Sequence, residues 1–213
     1  MKVKTLFLIC FLSITCLLNA ADKPVIQIHT DNSSLIFRVA DNGRLYQSYL
    51  GKKLSHETDI SHLPQGTEAY ITHGMEDYFE PAIHILHNDG NPSLLLKYVS
   101  HETKAVSQGV NETIITLGGD KYPVTVKLHY VTYPAEDIIK TYTEISHKEK
   151  KPVVLHQYAS SMLHLNRAKY YLTEFAGDWA HEANISDQPL EFGKKVLDTK
   201  LGARANMFIP PFF

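Results

Sequence analysis

Twelve histidines, a tyrosine-rich background and a single tryptophan are the residues of this 213-residue chain whose chemistry needs an account first. His84 and His87 lie three apart in an apolar run that patterns as a strand, and that spacing puts them on opposite faces, where they cannot share one ion. No metal site is therefore expected. Ser160 and Ser161 lie in strand-like sequence and lack the Gly-x-Ser-x-Gly elbow that would expose a nucleophile, so they read as sheet residues. Paired acids can hydrolyse glycosidic bonds when they face each other across a sugar, and Asp77, Glu80, Glu174, Asp178 and Glu182 cluster near aromatic residues. Spacing alone brings no two of them together; Glu174, Asp178 and Glu182 read as turn or capping groups around Gly177. Trp179 follows Phe175-Ala176-Gly177-Asp178, where Gly177 permits an unusual backbone angle. Projected outward, the indole is a platform for the apolar face of a sugar ring; turned inward, it is core.

The elements that must position these residues are strands. Ile26 and Ile28 alternate with Val25, Gln27 and His29, and two apolar runs flank Asp41-Asn42-Gly43, the signature of a hairpin turn. Further strand segments are expected at 82–87, 94–99, 113–117, 124–132, 138–145 and 153–165, separated by turn clusters such as Asn88-Asp89-Gly90-Asn91-Pro92. No ten-residue helical stripe follows the N-terminus. The pattern predicts an all-β, antiparallel β-sandwich, with 52–74 as a long, polar, His-rich exposed loop.

The N-terminus has its own logic. Lys2 and Lys4, an apolar run over 6–18 and Asn19-Ala20-Ala21 form a secretory signal peptide over 1–20, too short to span a hydrocarbon core of about 30 Å as a helix. Cleavage after Ala20 or Ala21 leaves a mature chain of about 192 residues, one domain in size, secreted or periplasmic. Both cysteines, Cys10 and Cys16, fall in the signal, so the mature chain has no thiol for a disulfide, thiolate metal site or nucleophile. A formal net charge of −2 without a basic stripe excludes nucleic acid as an expected partner. Met207-Phe208-Ile209-Pro210-Pro211-Phe212-Phe213 ends on apolar residues, which predicts that the natural fold continues beyond it.

Taken together, Tyr171-Leu172-Thr173-Glu174-Phe175-Ala176-Gly177-Asp178-Trp179-Ala180-His181-Glu182, Gly193-Lys194-Lys195-Val196-Leu197 and Gly202-Ala203-Arg204-Ala205-Asn206 resemble the N-terminal domain of glycoside hydrolase family 36 α-galactosidases. Upstream, Leu50-Gly51-Lys52-Lys53, Phe79-Glu80-Pro81-Ala82 and Asn88-Asp89-Gly90-Asn91-Pro92-Ser93 agree in the same order. The resemblance spans nearly the whole mature chain. It implies a β-supersandwich over 21–213, incomplete at its C-terminal end, that packs on a TIM barrel carrying two catalytic aspartates. Such carboxyls stand about 5 Å apart in retaining enzymes, so both belong to one rigid scaffold.

Nothing in this chain resembles that barrel. The implied function is the accessory part of an exported α-galactosidase acting on α-galactoside oligosaccharides, without catalytic residues, metal or cofactor of its own. Trp179 is the implied sugar-adjacent residue, with Asp178 and His181 beside it. The loop 54–78 is shorter than in some members, so no role passes to Asp59 and a homo-oligomeric contact stays open. The alternatives are a free-standing galactoside-binding module using Trp179 and a structural sandwich docking a barrel supplied in trans.

Overall fold

A computed structural model describes residues 23–75, 79–165, 169–178, 181–191 and 193–197. The chain divides after His164 into two compact units. In the first, β1 (Val25–His29), β2 (Ser33–Val39), β3 (Leu45–Lys52) and β4 (Thr67–Glu68) form a four-stranded antiparallel sheet in sequence order. The turn between β2 and β3 needs positive φ, and Gly43 supplies it at +77° without steric cost. A single five-residue helix, α1 (Glu57–Ser61), intervenes before β4.

The second sheet is a meander. After β5 (Ile83–Leu86), the strands β6 (Leu96–Ser107), β7 (Val110–Gly119), β8 (Val124–Tyr133) and β9 (Ile138–His147) pair successively and antiparallel. A separate two-stranded sheet joins β5 to β10 (Val154–Tyr158).

Alternation sends one set of side chains inward. Ile26, Ile28, Leu35, Phe37 and Leu45 of the first sheet share a core cluster with Ile115, Leu117, Val126, Leu128 and Tyr130 of the meander. The rings of Phe37 and Tyr130 meet at 5.2 Å, a tilted aromatic contact between the two layers. Ile83 and Ile85 of β5 belong to the same cluster. The architecture is the expected all-β sandwich, with the hairpin at Asn42-Gly43 in place.

Several local expectations are corrected. The segment 52–74 is not wholly an exposed loop: it holds α1 and β4, and Ala69, Tyr70, Ile71 and Thr72 are buried. Tyr70 donates its hydroxyl to the Ala159 carbonyl at 2.8 Å, a long-range partner that turns a polar-looking segment inward. The strand expected over 153–165 stops at Tyr158, so Ser160 and Ser161 lie outside any strand.

The second unit contains a hairpin, β11 (Tyr171–Asp178) and β12 (His181–Pro189), paired antiparallel from Tyr171↔Pro189 to Asp178↔His181. Glu174 is mid-strand here and Glu182 lies in β12, not in turns; Asp178 ends β11. Gly177 falls at the register shift between Ala176 and Asp178, a bulge rather than a turn centre.

Candidate functional site

The hairpin of the second unit brings two of the three residues singled out in the sequence together, because Asp178 and His181 are Cα partners at its last rung. Trp179 lies outside the described residues. Lower in the hairpin, Glu174 is buried, and its Oε1 accepts from Gln188 Nε2 at 3.0 Å and faces Lys195 Nζ at 3.5 Å. At the neighbouring rung, Thr173 donates to the carboxylate of its cross-strand partner Asp187 at 2.6 Å. Tyr171 and Ile185 stand exposed.

In the first unit, the Phe79-Glu80-Pro81-Ala82 motif is tied to β10. Gln157 Nε2 donates to the Pro81 carbonyl at 2.8 Å and to Glu80 Oε1 at 3.3 Å, and the Ala159 N–H donates to the Ala82 carbonyl at 2.7 Å. Several apolar side chains of this segment and of β10 are exposed. Phe79 and Tyr158 are 68% and 62% exposed, and Val154, Leu155 and Leu163 are exposed as well. The rings of His73 and His84 stack at 3.7 Å, and His156 tilts against His84 at 4.8 Å. Burial, with the neighbouring His73 and His156, holds His84 below the ordinary imidazole range. His84 of β5 thus joins His73 and His156, while His87, just past the strand's end, stacks on Tyr122, so the two histidines stand in separate settings.

Two polar clusters escaped sequence reasoning. Glu112 accepts at Oε1 from the Tyr142 hydroxyl at 2.6 Å and from His129 Nδ1 at 2.9 Å, while Lys104 reaches Oε2 at 2.9 Å. Hydrogen bonds from Tyr142, His129 and Lys104 together pull its carboxyl down to about 2. The His129 ring also stacks on Tyr142 at 4.2 Å. A carboxylate held so firmly ionised cannot serve as a general acid near neutral pH, which requires a proton to give. The second cluster joins His87 Nδ1 to Glu149 Oε1 at 2.7 Å, with the Asn88 N–H on Oε2 at 3.1 Å. Burial works against the Glu149 charge, but the His87 and Asn88 hydrogen bonds prevail and its carboxyl stays below the usual range. The partners in these clusters are up to 62 residues apart, so no local spacing could have announced them.

Among the described residues, no group of three or more His, Cys, Asp or Glu side chains is arranged to hold a metal ion.

Comparison with known proteins then adds a family and a fold. The model of the glycosyl hydrolase family 36 N-terminal domain matches residues 42–213. No curated protein matches the chain. The fold is similar to that of the α-galactosidase AgaA of Geobacillus stearothermophilus, with a TM-score of 0.79 at 18% identity over 88% of this chain and 31% of that one. AgaB of the same organism gives 0.75 at 20% identity over 88% and 31%. The α-galactosidase of Lactobacillus brevis gives 0.69 at 20% identity over 79% and 28%. The chain therefore spans less than a third of the length of these enzymes.

Proposed function

Because this chain belongs to the glycosyl hydrolase family 36 N-terminal domain family, we propose that it is the non-catalytic β-sandwich part of an exported α-galactosidase, which docks a catalytic domain and is inactive alone. The carrying observation is the set of exposed apolar side chains in and near β10, Phe79, Val154, Leu155, Tyr158 and Leu163. Apolar surface of that kind marks an interaction site, and its loss from water is what drives association. The occupant is the catalytic domain: the similar α-galactosidase structures carry about twice this chain's length in addition to the shared sandwich.

The substrate class follows from the same reading. AgaA has been solved with raffinose and with stachyose, both oligosaccharides. For this chain, terminal α-galactosides are the proposed substrates of the assembled enzyme, with Trp179 as the sugar-adjacent residue and Asp178 and His181 beside it. Export rests on the lysines, apolar run and small residues over 1–21.

The test is direct. The mature chain alone is expected to release no chromophore from an aryl α-galactoside, and to co-purify with a family 36 catalytic domain. Replacement of the exposed Tyr158 by Asp, which places a charge among these apolar side chains, is expected to weaken that association about tenfold. Sugar release by the contaminant-free chain, or association indifferent to Tyr158→Asp, would refute the reading.

A further inference from the structure

Strand β9 leaves one side of the meander open. In the sheet order β6-β7-β8-β9 it pairs with β8 alone, so the backbone groups along its other side have no strand partner among the described residues. Such an edge is a template for another strand, and folded chains commonly blunt it by shortness, bulges or charge. The other sheet edges among the described residues are blunted in this way. β1 and β4 have five and two residues, β5 and β10 have four and five, and β6 and the β11–β12 hairpin contain register shifts. β9 runs ten residues, from Ile138 to His147, in unbroken register with β8.

The residues on this edge complement themselves. Outward from Tyr142 in either direction, the run Ile139-Lys140-Thr141-Tyr142-Thr143-Glu144-Ile145 meets a threonine, then a charge, then an isoleucine, and the two charges are opposite. We propose that β9 pairs antiparallel with β9 of a second copy of this chain, about a two-fold axis through Tyr142. In that register Lys140 faces Glu144 of the second copy, Thr141 faces Thr143 and Ile139 faces Ile145, and the symmetry makes each contact twice. Both charges are available: Lys140 is exposed, and the Glu144 side chain is 54% exposed although it lies 3.6 Å from Lys127 and from His129. Ile139 and Ile145 pack on the core only partly buried, so a neighbouring strand removes more of their surface from water. Tyr142 does not obstruct the approach. Its ring stacks on His129 of β8 and its hydroxyl donates to Glu112 of β7, which draws it back over the sheet and away from the open edge. Thr143 donates to the Ser160 carbonyl at 3.0 Å, which leaves its hydroxyl oxygen to accept from the facing threonine. The contact is isologous, so it closes as a dimer and joins two four-stranded meanders into one continuous sheet. The inference goes beyond the docking role proposed above and does not rest on it, since Phe79 and the exposed side chains of β10 take no part.

Sedimentation velocity of the full chain over a concentration series tests it. A reversible monomer–dimer equilibrium is expected, and it should weaken as salt is raised. Lys140→Glu sets acid against acid twice across the two-fold axis, and is expected to weaken dimerisation about tenfold; Glu144→Lys does the same with two pairs of bases. An equimolar mixture of the two variants is expected to restore the dimer, because one strand then carries two acids and the other two bases. That recovery also shows that both variants are folded. A parent chain that stays monomeric at every concentration overturns the proposal, and means that another segment covers the edge or that nothing does. A dimer indifferent to Lys140→Glu places the contact elsewhere and overturns it as well. So does a mixture of the two variants that pairs no better than either alone.

Discussion

The buried side-chain amide of Gln47 grips the backbone of His164 from both sides: Nε2 donates to the His164 carbonyl at 2.7 Å, and Oε1 accepts from the His164 N–H at 3.1 Å. The His164 ring completes the tie by donating from Nε2 to the Glu68 carbonyl at 2.8 Å. Strand β3 is thereby fastened to a segment 117 residues later. Gln47→Ala would leave two part-buried backbone groups of His164 without these partners, and is expected to cost about 1–3 kcal/mol in urea unfolding. A loss below a few tenths of a kcal/mol would mean that water replaces the amide freely.

Gly66 lies under the same residue. Its φ is +82°, and a β-carbon there would stand 1.9 Å from the Gln47 carbonyl oxygen, a backbone wall that cannot swing aside. Gly90 has a similar φ of +85° but open space around it. Gly90→Ala should therefore cost about 1–2 kcal/mol from backbone strain alone. Gly66→Ala should cost several kcal/mol more or abolish folding. Equal urea midpoints for the two variants would contradict the close approach.

Glu112 predicts the acid limb of stability. Its carboxyl ionises at about 2 in the folded chain against 4.5 when unconstrained. A depressed carboxyl stabilises the fold fully above the unfolded value, and that contribution is lost as pH falls from about 4.5 through about 2. Thermal melts across this window should show Tm falling for the parent chain. Glu112→Gln should lower Tm at neutral pH and flatten that slope.

His84 sets a second window with the same sign. Burial and the facing His73 and His156 rings disfavour its protonated form, so the unfolded chain binds the proton more readily. Stability is then expected to decline as pH drops below about 6.5. His84→Phe preserves a ring against His73 and removes the titration. Its Tm should vary less between neutral and mildly acidic pH; an unchanged slope would place the titrating group elsewhere.

Much of the first unit was legible in the residue order. The alternation of Ile26 and Ile28 with Gln27 and His29 announced β1, and Asn42-Gly43 announced the hairpin, because strand facing and turn backbone angle are local properties. The order of the motifs around Phe79-Glu80-Pro81-Ala82 and Tyr171-Leu172-Thr173 was enough to indicate the family that the comparison then established. Strand β11 was not legible: Glu174, Gly177 and Asp178 carry turn chemistry, and their strand character comes from pairing with β12.

Which polar side chains meet was decided by tertiary structure alone. The Glu112 cluster draws on four residues across β6 to β9, and its assembly depends on the register of three strand pairings. Likewise Tyr70 turns inward because the Ala159 carbonyl waits 89 residues away. Periodicity specifies which face a side chain takes, since that follows from the backbone at one strand. Its partner depends on how distant strands slide into place, and the burial shared by the whole sandwich determines that.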